Sequence, residues 1–218
     1  STQSTGHIAA LNMQPNIEKM FCSMIPSDFQ AINLQKYKGF GVHPHFAYQC
    51  SRNVRVQIEQ LLNQPNAFLG EVGVDMREQY LPQNPLCLQL GVLHSLLEMA
   101  FRLNKMISMH LIFENGDCLQ QIQDILVELQ TKFEAKPLIV LHNCSLSIEQ
   151  FNQLSLCYQN LLIGVGYRNF ESKLVKEKND KLVRETDYVS GEDYDQKWEK
   201  VQKIDCTNNE AIIKKALL

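Results

Sequence analysis

No Cys-x-x-Cys pair occurs among the seven cysteines of this 218-residue chain. Their odd number and wide scatter fit neither a disulfide framework nor a structural zinc site, and a reducing compartment is expected. Basic residues are not in excess either. With 21 Lys and Arg against 24 Asp and Glu, the net charge of −3 argues against a broad electrostatic grip on duplex nucleic acid. Any hold on phosphate has to be local. No uninterrupted apolar run approaches the roughly 18–20 residues that span a bilayer. The first residues, Ser1 to Leu11, lack the basic end and apolar stretch of a secretory signal. These absences predict a protein of the cytoplasm, with the nucleus as an additional location, and no membrane partner. An initiator Met is also missing at position 1.

What is present is a globular composition, 44% hydrophobic and 21% charged, well outside the range of disordered chains. At this length one α/β domain over residues 1–218 is expected. Short apolar runs alternate with longer segments of helical spacing, the pattern of βα units. Seven strands are predicted: Lys19 to Ile25, Tyr37 to Val42, Ala67 to Val74, Met106 to Ile112, Pro137 to Leu141, Asn160 to Val165 and Lys181 to Glu185. Leu90, Leu93, Leu97, Ala100 and Phe101 form one side of a core-facing helix, and Leu119, Ile122, Ile125, Leu126 and Leu129 form a second such stripe. Asn53 to Leu62 and Ser147 to Tyr158 read as two more helices, the latter with Ser147 as N-cap and Gln150 three residues on. Eight parallel strands close a TIM-type (βα)8 barrel, so seven predict a barrel lacking one strand.

His43, Glu71, His110, His142 and Asp187 each fall at or just beyond the end of a separate predicted strand. In a parallel barrel those ends meet on one face, which would bring the five together. Imidazoles mixed with carboxylates are the ligand set of zinc, manganese, iron or magnesium. Glu71 is the most telling, since an apolar strand rarely carries a carboxylate unless it is paired or bound to a cation. Asp187, following Leu182-Val183, is similar. His43 and His45 flank Pro44 and either contact substrate or shape the loop. His94, in the apolar helix, reads as structural, His7 has no identifiable partner, and the mixed charges of 171–180 and 190–200 read as a solvated face.

At these positions the sequence resembles the TatD-type metal-dependent deoxyribonucleases of the amidohydrolase superfamily, over nearly the whole chain. Gly41-Val42-His43-Pro44-His45 resembles the family's Gly-x-His-Pro-His turn, and Gly70 to Asp75 its Gly-Glu-Ile-Gly-Leu-Asp strand. Leu88 to His110 is similar to the helix and strand that lead to a ligand histidine. Leu141 to Ser145 is similar to His-Cys-Phe-Ser-Gly, and Glu185-Thr186-Asp187 to Glu-Thr-Asp. The resemblance implies two divalent ions, magnesium or manganese with zinc as the alternative. It implies that Glu71 bridges them, that His110 and His142 are ligands, and that Asp187 completes the site and handles the attacking water. Glu71 and Asp187 are then the catalytic pair, His43 and His45 candidate substrate contacts, and DNA the substrate, trimmed as by a 3′-5′ exonuclease through local, metal-mediated contact.

The sequence departs from that pattern in four places. No family-like Asp-x-His-x-His precedes Lys19, which together with the missing Met predicts that the first strand is absent from the chain. The ending at Leu217-Leu218, inside a helix from Asn208, predicts a shortened last helix. Asn143 and Leu146 replace the usual residues after His142, and Tyr188-Val189 replace a small residue and proline after Asp187. Two other functions compete with a nuclease: an amide, lactone or small-phosphoester hydrolase on the same scaffold, and a non-catalytic TatD-like binding protein.

Overall fold

All seven predicted strands form, and they lie parallel in one sheet. The structure, a computed structural model, describes residues 9–11, 20–114, 117–187 and 199–217, with only the backbone given for 9–11 and 186–187. The strands are β1 (Ala9–Leu11), β2 (Met20–Cys22), β3 (Tyr37–Phe40), β4 (Ala67–Asp75), β5 (Ile107–Ile112), β6 (Ile139–His142), β7 (Leu161–Val165), β8 (Leu182–Arg184) and β9 (Thr186–Asp187). The helices are α1 (Phe29–Asn33), α2 (Arg52–Leu62), α3 (Leu86–Leu103), α4 (Leu119–Lys132), α5 (Ile148–Cys157), α6 (Lys173–Glu177) and α7 (Thr207–Leu217).

The sheet order is β8-β7-β6-β5-β4-β3-β2-β1-β9, with β2 through β8 parallel to one another. Such a curled parallel sheet with helices outside is the architecture of the TIM-type barrel. Next to β2, where a complete barrel would carry the further parallel strand expected to be absent here, stands the short β1. It is antiparallel to β2 on one side and to β9 on the other. Only Glu185 separates β8 from β9 in the chain, so the two ends of the ladder are covalently adjacent.

Side chains alternate between two apolar layers. On β6, Ile139 and Leu141 join the outer cluster, packed with residues of α3, α4 and α5 such as Leu97, Leu126 and Leu154. Leu138 and Val140 join the inner cluster with Met20, Cys22, Phe68, Leu162 and Val183. The period of two therefore turns His142 inward, and the same count turns His110 inward on β5 and Glu185 inward after β8. Each fully buried Leu or Ile in these layers contributes roughly 1.5–3 kcal/mol. The helix α7 adds Ile213 and Leu217 to the inner cluster. Its Asn209 donates to the carbonyls of Asp180 and Leu182, where β8 begins, at the end of the barrel opposite the histidines.

The local signals are realised as expected. Ser147 and Gln150 form a reciprocal capping box on α5. The 18 residues of α3 are long and apolar enough on average to cross a membrane, although Gln89, His94, Glu98 and Arg102 interrupt them. Here the helix packs along the sheet and buries Leu93, Leu96, Leu97 and Phe101. His94 Nε2 donates to Glu128 Oε1 of α4 at 3.2 Å, the structural role its setting suggested.

Candidate metal centre

The strand that carries most of the chemistry, β4, is buried along all nine residues and contains an irregularity. Its register against β5 pairs Leu69 with Ile107 but Val72 with Met109, so one extra residue is inserted at Gly70-Glu71. Phe68 and Asp75 are seven apart and would face opposite sides of a regular strand. The bulge puts both inside the barrel and aims Glu71 at its mouth. Glycine is required beside it: a Cβ on Gly73, whose φ is +153°, would stand 1.8 Å from the His110 carbonyl oxygen.

Three imidazoles surround one oxygen of Glu71. His110 Nδ1 is 3.3 Å from Oε1, His142 Nε2 is 3.4 Å and His43 Nε2 is 3.9 Å. All four side chains are buried, and among the described residues Oε1 accepts no hydrogen bond. A buried carboxylate oxygen without a donor costs roughly 1–3 kcal/mol or more, so the arrangement is unfavourable by itself. A divalent cation among these atoms would remove that cost, and the donor set suits one.

The far nitrogens decide which atoms can ligate. His142 Nδ1 is 3.0 Å from Glu185 Oε2, and the other oxygen of Glu185 accepts from the Asn143 backbone N–H. An ionised carboxylate only accepts, so the proton sits on His142 Nδ1 and Nε2 presents its lone pair to Glu71. For His110 the nitrogens exchange roles. Nε2 donates to Asp75 Oδ2 at 3.1 Å, leaving Nδ1 free toward Glu71. Ligand histidines held from behind by carboxylates are the usual construction of metal sites. Burial works against protonating His110, but the Asp75 and Glu71 carboxylates outweigh it and raise its proton affinity above the ordinary value. That makes it a strong donor to a cation.

His43 and His45 are engaged differently. The His45 backbone N–H donates to His43 Nδ1 at 3.2 Å, so the neutral His43 ring carries its proton on Nε2, the atom that faces Glu71. Burial, then the neighbouring His110, His45 and His142, hold the His43 pKa well below the usual value, so it stays neutral at pH 7. His45 Nε2 lies 2.6 Å from Asp75 Oδ2, and its ring stacks on Tyr80 at 3.4 Å. The rings of His43, His45 and His110 could offer three nitrogens within 4.8 Å of one another. Yet Nδ1 of His43 and Nε2 of the other two are already taken by protein groups, so the Glu71 grouping is the better ligand set.

Asp75 is the hub behind the site. Fully buried, it accepts from His45, from His110, from the Arg77 backbone N–H and from Arg77 Nε and Nη2, the last at 2.5 Å. Burial alone would raise its pKa, but the hydrogen bonds from His110, His45 and Arg77 hold it far below the carboxylate range. Gln89 of α3 takes both backbone polar groups of Asp75, accepting from its N–H and donating to its carbonyl.

Of the residues singled out in the sequence, Glu71, His110, His142 and His43 converge, and His45 stands one shell back on Asp75. Asp187 lies in β9 with its backbone paired to Ala9, and its side chain is outside the described residues, as are His7, Tyr188 and Val189. Sequence reasoning gave no role to Asp75, Arg77 or Glu185. The signal was available: Asp75 and Glu185 are carboxylates at the ends of apolar strands, the same feature that drew attention to Glu71.

A family model described as TatD related DNase matches residues 26–210. Among solved structures, the chain is similar to YjjV, a TatD homologue from Escherichia coli. The TM-score is 0.63 at 18% identity, covering 91% of this chain and 82% of that one. It is also similar to an uncharacterised amidohydrolase from Saccharomyces cerevisiae, with a TM-score of 0.55 at 16% identity, covering 83% of this chain and 68% of the other. No curated protein matches the sequence.

Proposed function

The chain belongs to the TatD related DNase family, and from that premise we propose that it is a divalent-metal-dependent hydrolase that cuts phosphodiester bonds in DNA, trimming ends as a 3′-5′ exonuclease. The observation that carries this reading is the buried Glu71 Oε1, which no hydrogen bond from the described residues satisfies and which His110 Nδ1 and His142 Nε2 approach at 3.3 and 3.4 Å. Glu71, His110 and His142 would hold the ion, with Asp187 as a further ligand and base by family resemblance. A bound divalent ion supplies a water acidic enough to ionise near neutral pH and positive charge against the phosphate.

The chain's own residues supply the rest. His43, neutral and protonated on Nε2, is a hydrogen-bond donor to a phosphate oxygen at the mouth. Arg77, paired with Asp75, brings a guanidinium to within 3.2 Å of His45 Nε2. A local group of this kind, and not a basic surface, is what a chain of net charge −3 has to meet a polyanion. Tyr80, stacked on His45 and 5.0 Å below the Arg77 guanidinium, forms the wall beside it. The test is incubation of the protein with a 3′-labelled and a 5′-labelled oligonucleotide in manganese or magnesium. A ladder shortening from the 3′ end supports the reading. Intact DNA alongside turnover of an amide or lactone substrate would replace it.

A further inference from the structure

Among the described residues Glu185 touches none of the atoms expected to ligate, yet the side chain is almost wholly enclosed, 1% exposed as a residue. Its two oxygens are divided between two donors, Oε2 to His142 Nδ1 at 3.0 Å and Oε1 to the backbone N–H of Asn143. Only a carboxylate can accept both. A glutamine would turn an NH2 group against one of the two donors. The room for it is made by Gly164 on β7, where a Cβ would fall 2.2 Å from Glu185 Oε2 and 2.4 Å from its Cδ. Two strands are thus shaped around one side chain: β7 gives up its side chain so that the residue after β8 can reach under His142. The backbone of β8 and β9 is continuous through Glu185, whose N–H donates to the Val165 carbonyl. The carboxylate is therefore anchored on the strand, not on a loop.

We propose that Glu185 is a positioning residue that acts through His142, fixing the imidazole in the Nδ1–H tautomer with Nε2 aimed at Glu71, and that Gly164 is its obligatory partner. This rests on the metal-dependent reading of the same site and adds a residue to it. Outer partners of ligand histidines are worth about 10- to 100-fold in metal affinity.

The experiment is a double-mutant cycle read by calorimetric titration of manganese or zinc into the metal-free protein. Glu185→Gln is expected to weaken binding about 10- to 100-fold in the parent and by less than about twofold in a His142→Ala background, because the effect passes through that ring. Equal losses in both backgrounds, or no loss in the parent, would overturn the proposal. Should the parent bind no divalent ion, the hydrolase reading fails while this one is still tested. Long-range 1H–15N spectra of the metal-free parent should show His142 protonated on Nδ1, and a proton on Nε2 contradicts the inference. Gly164→Ala, which leaves both partners chemically intact, should give the metal-binding loss of Glu185→Gln. Parent-like affinity in Gly164→Ala would remove glycine from the account.

Discussion

Two carboxylates four residues apart on β4 live in opposite circumstances. Asp75 accepts from five donors and is sealed by them, whereas Glu71 Oε1 accepts from none among the described residues although three imidazoles stand around it. Burial does not separate them, since both are nearly inaccessible. What differs is the direction of the proton on the surrounding nitrogens. Those near Asp75 carry hydrogens toward it, while around Glu71 the neutral His110 and His142 rings turn the lone pairs of Nδ1 and Nε2 toward it and the Nε2–H of His43 stands 3.9 Å away. On the proposed reading the second carboxylate is the one that takes a cation, with Asp75 belonging to the framework and Glu71 to the chemistry.

Substitutions should sharpen that contrast. The largest effect belongs to Glu71→Gln, which should lower divalent-dependent cleavage of DNA at least about 1,000-fold, measured at saturating manganese. That loss corresponds to about 4 kcal/mol of barrier. Asp75→Asn comes next and acts on the fold. It leaves Arg77 and two imidazoles facing an amide, so denaturant unfolding of the metal-free protein should show a loss of about 3–5 kcal/mol, the cost of breaking one side of a buried pair. A similar loss from Glu71→Ala would erase the distinction. Smaller and opposite in sign is the metal-free stability of Glu71→Gln. The amide N–H groups can donate to the lone pairs of His110 and His142, and about 1 kcal/mol gained is a rise of roughly 2–4 °C in Tm. Far from both carboxylates, Tyr158→Phe removes a 2.5 Å hydrogen bond to the Pro137 carbonyl and should cost about 0.5–1.5 kcal/mol without altering metal affinity.

Much of this was legible in the sequence for a physical reason. Parallel barrel strands are buried on both faces and read as unbroken apolar runs, so a polar residue at the end of one, such as His110 or His142, stands out. The seven strands and the convergence of Glu71 with three histidines follow from that. What was not legible depends on backbone detail. The bulge at Gly70-Glu71 shows only as odd spacing between inward residues, and no local pattern announces it. The antiparallel β1 pairs with segments far away in the chain, so its placement is a tertiary fact. Glu185 was visible within Glu185-Thr186-Asp187 but stood in the shadow of Asp187, and its role emerges only once Gly164 and His142 are seen around it.

The claim that Glu71 is reserved for a cation can be tested by thermal unfolding of the metal-free parent and of Glu71→Gln across a manganese titration. A cation bound only to the folded state stabilises it by about 2.7 kcal/mol at a hundredfold excess over Kd, and Tm rises accordingly. The account predicts a clear upward shift for the parent and almost none for Glu71→Gln. Equal shifts in the two proteins, or no shift in either, would contradict it.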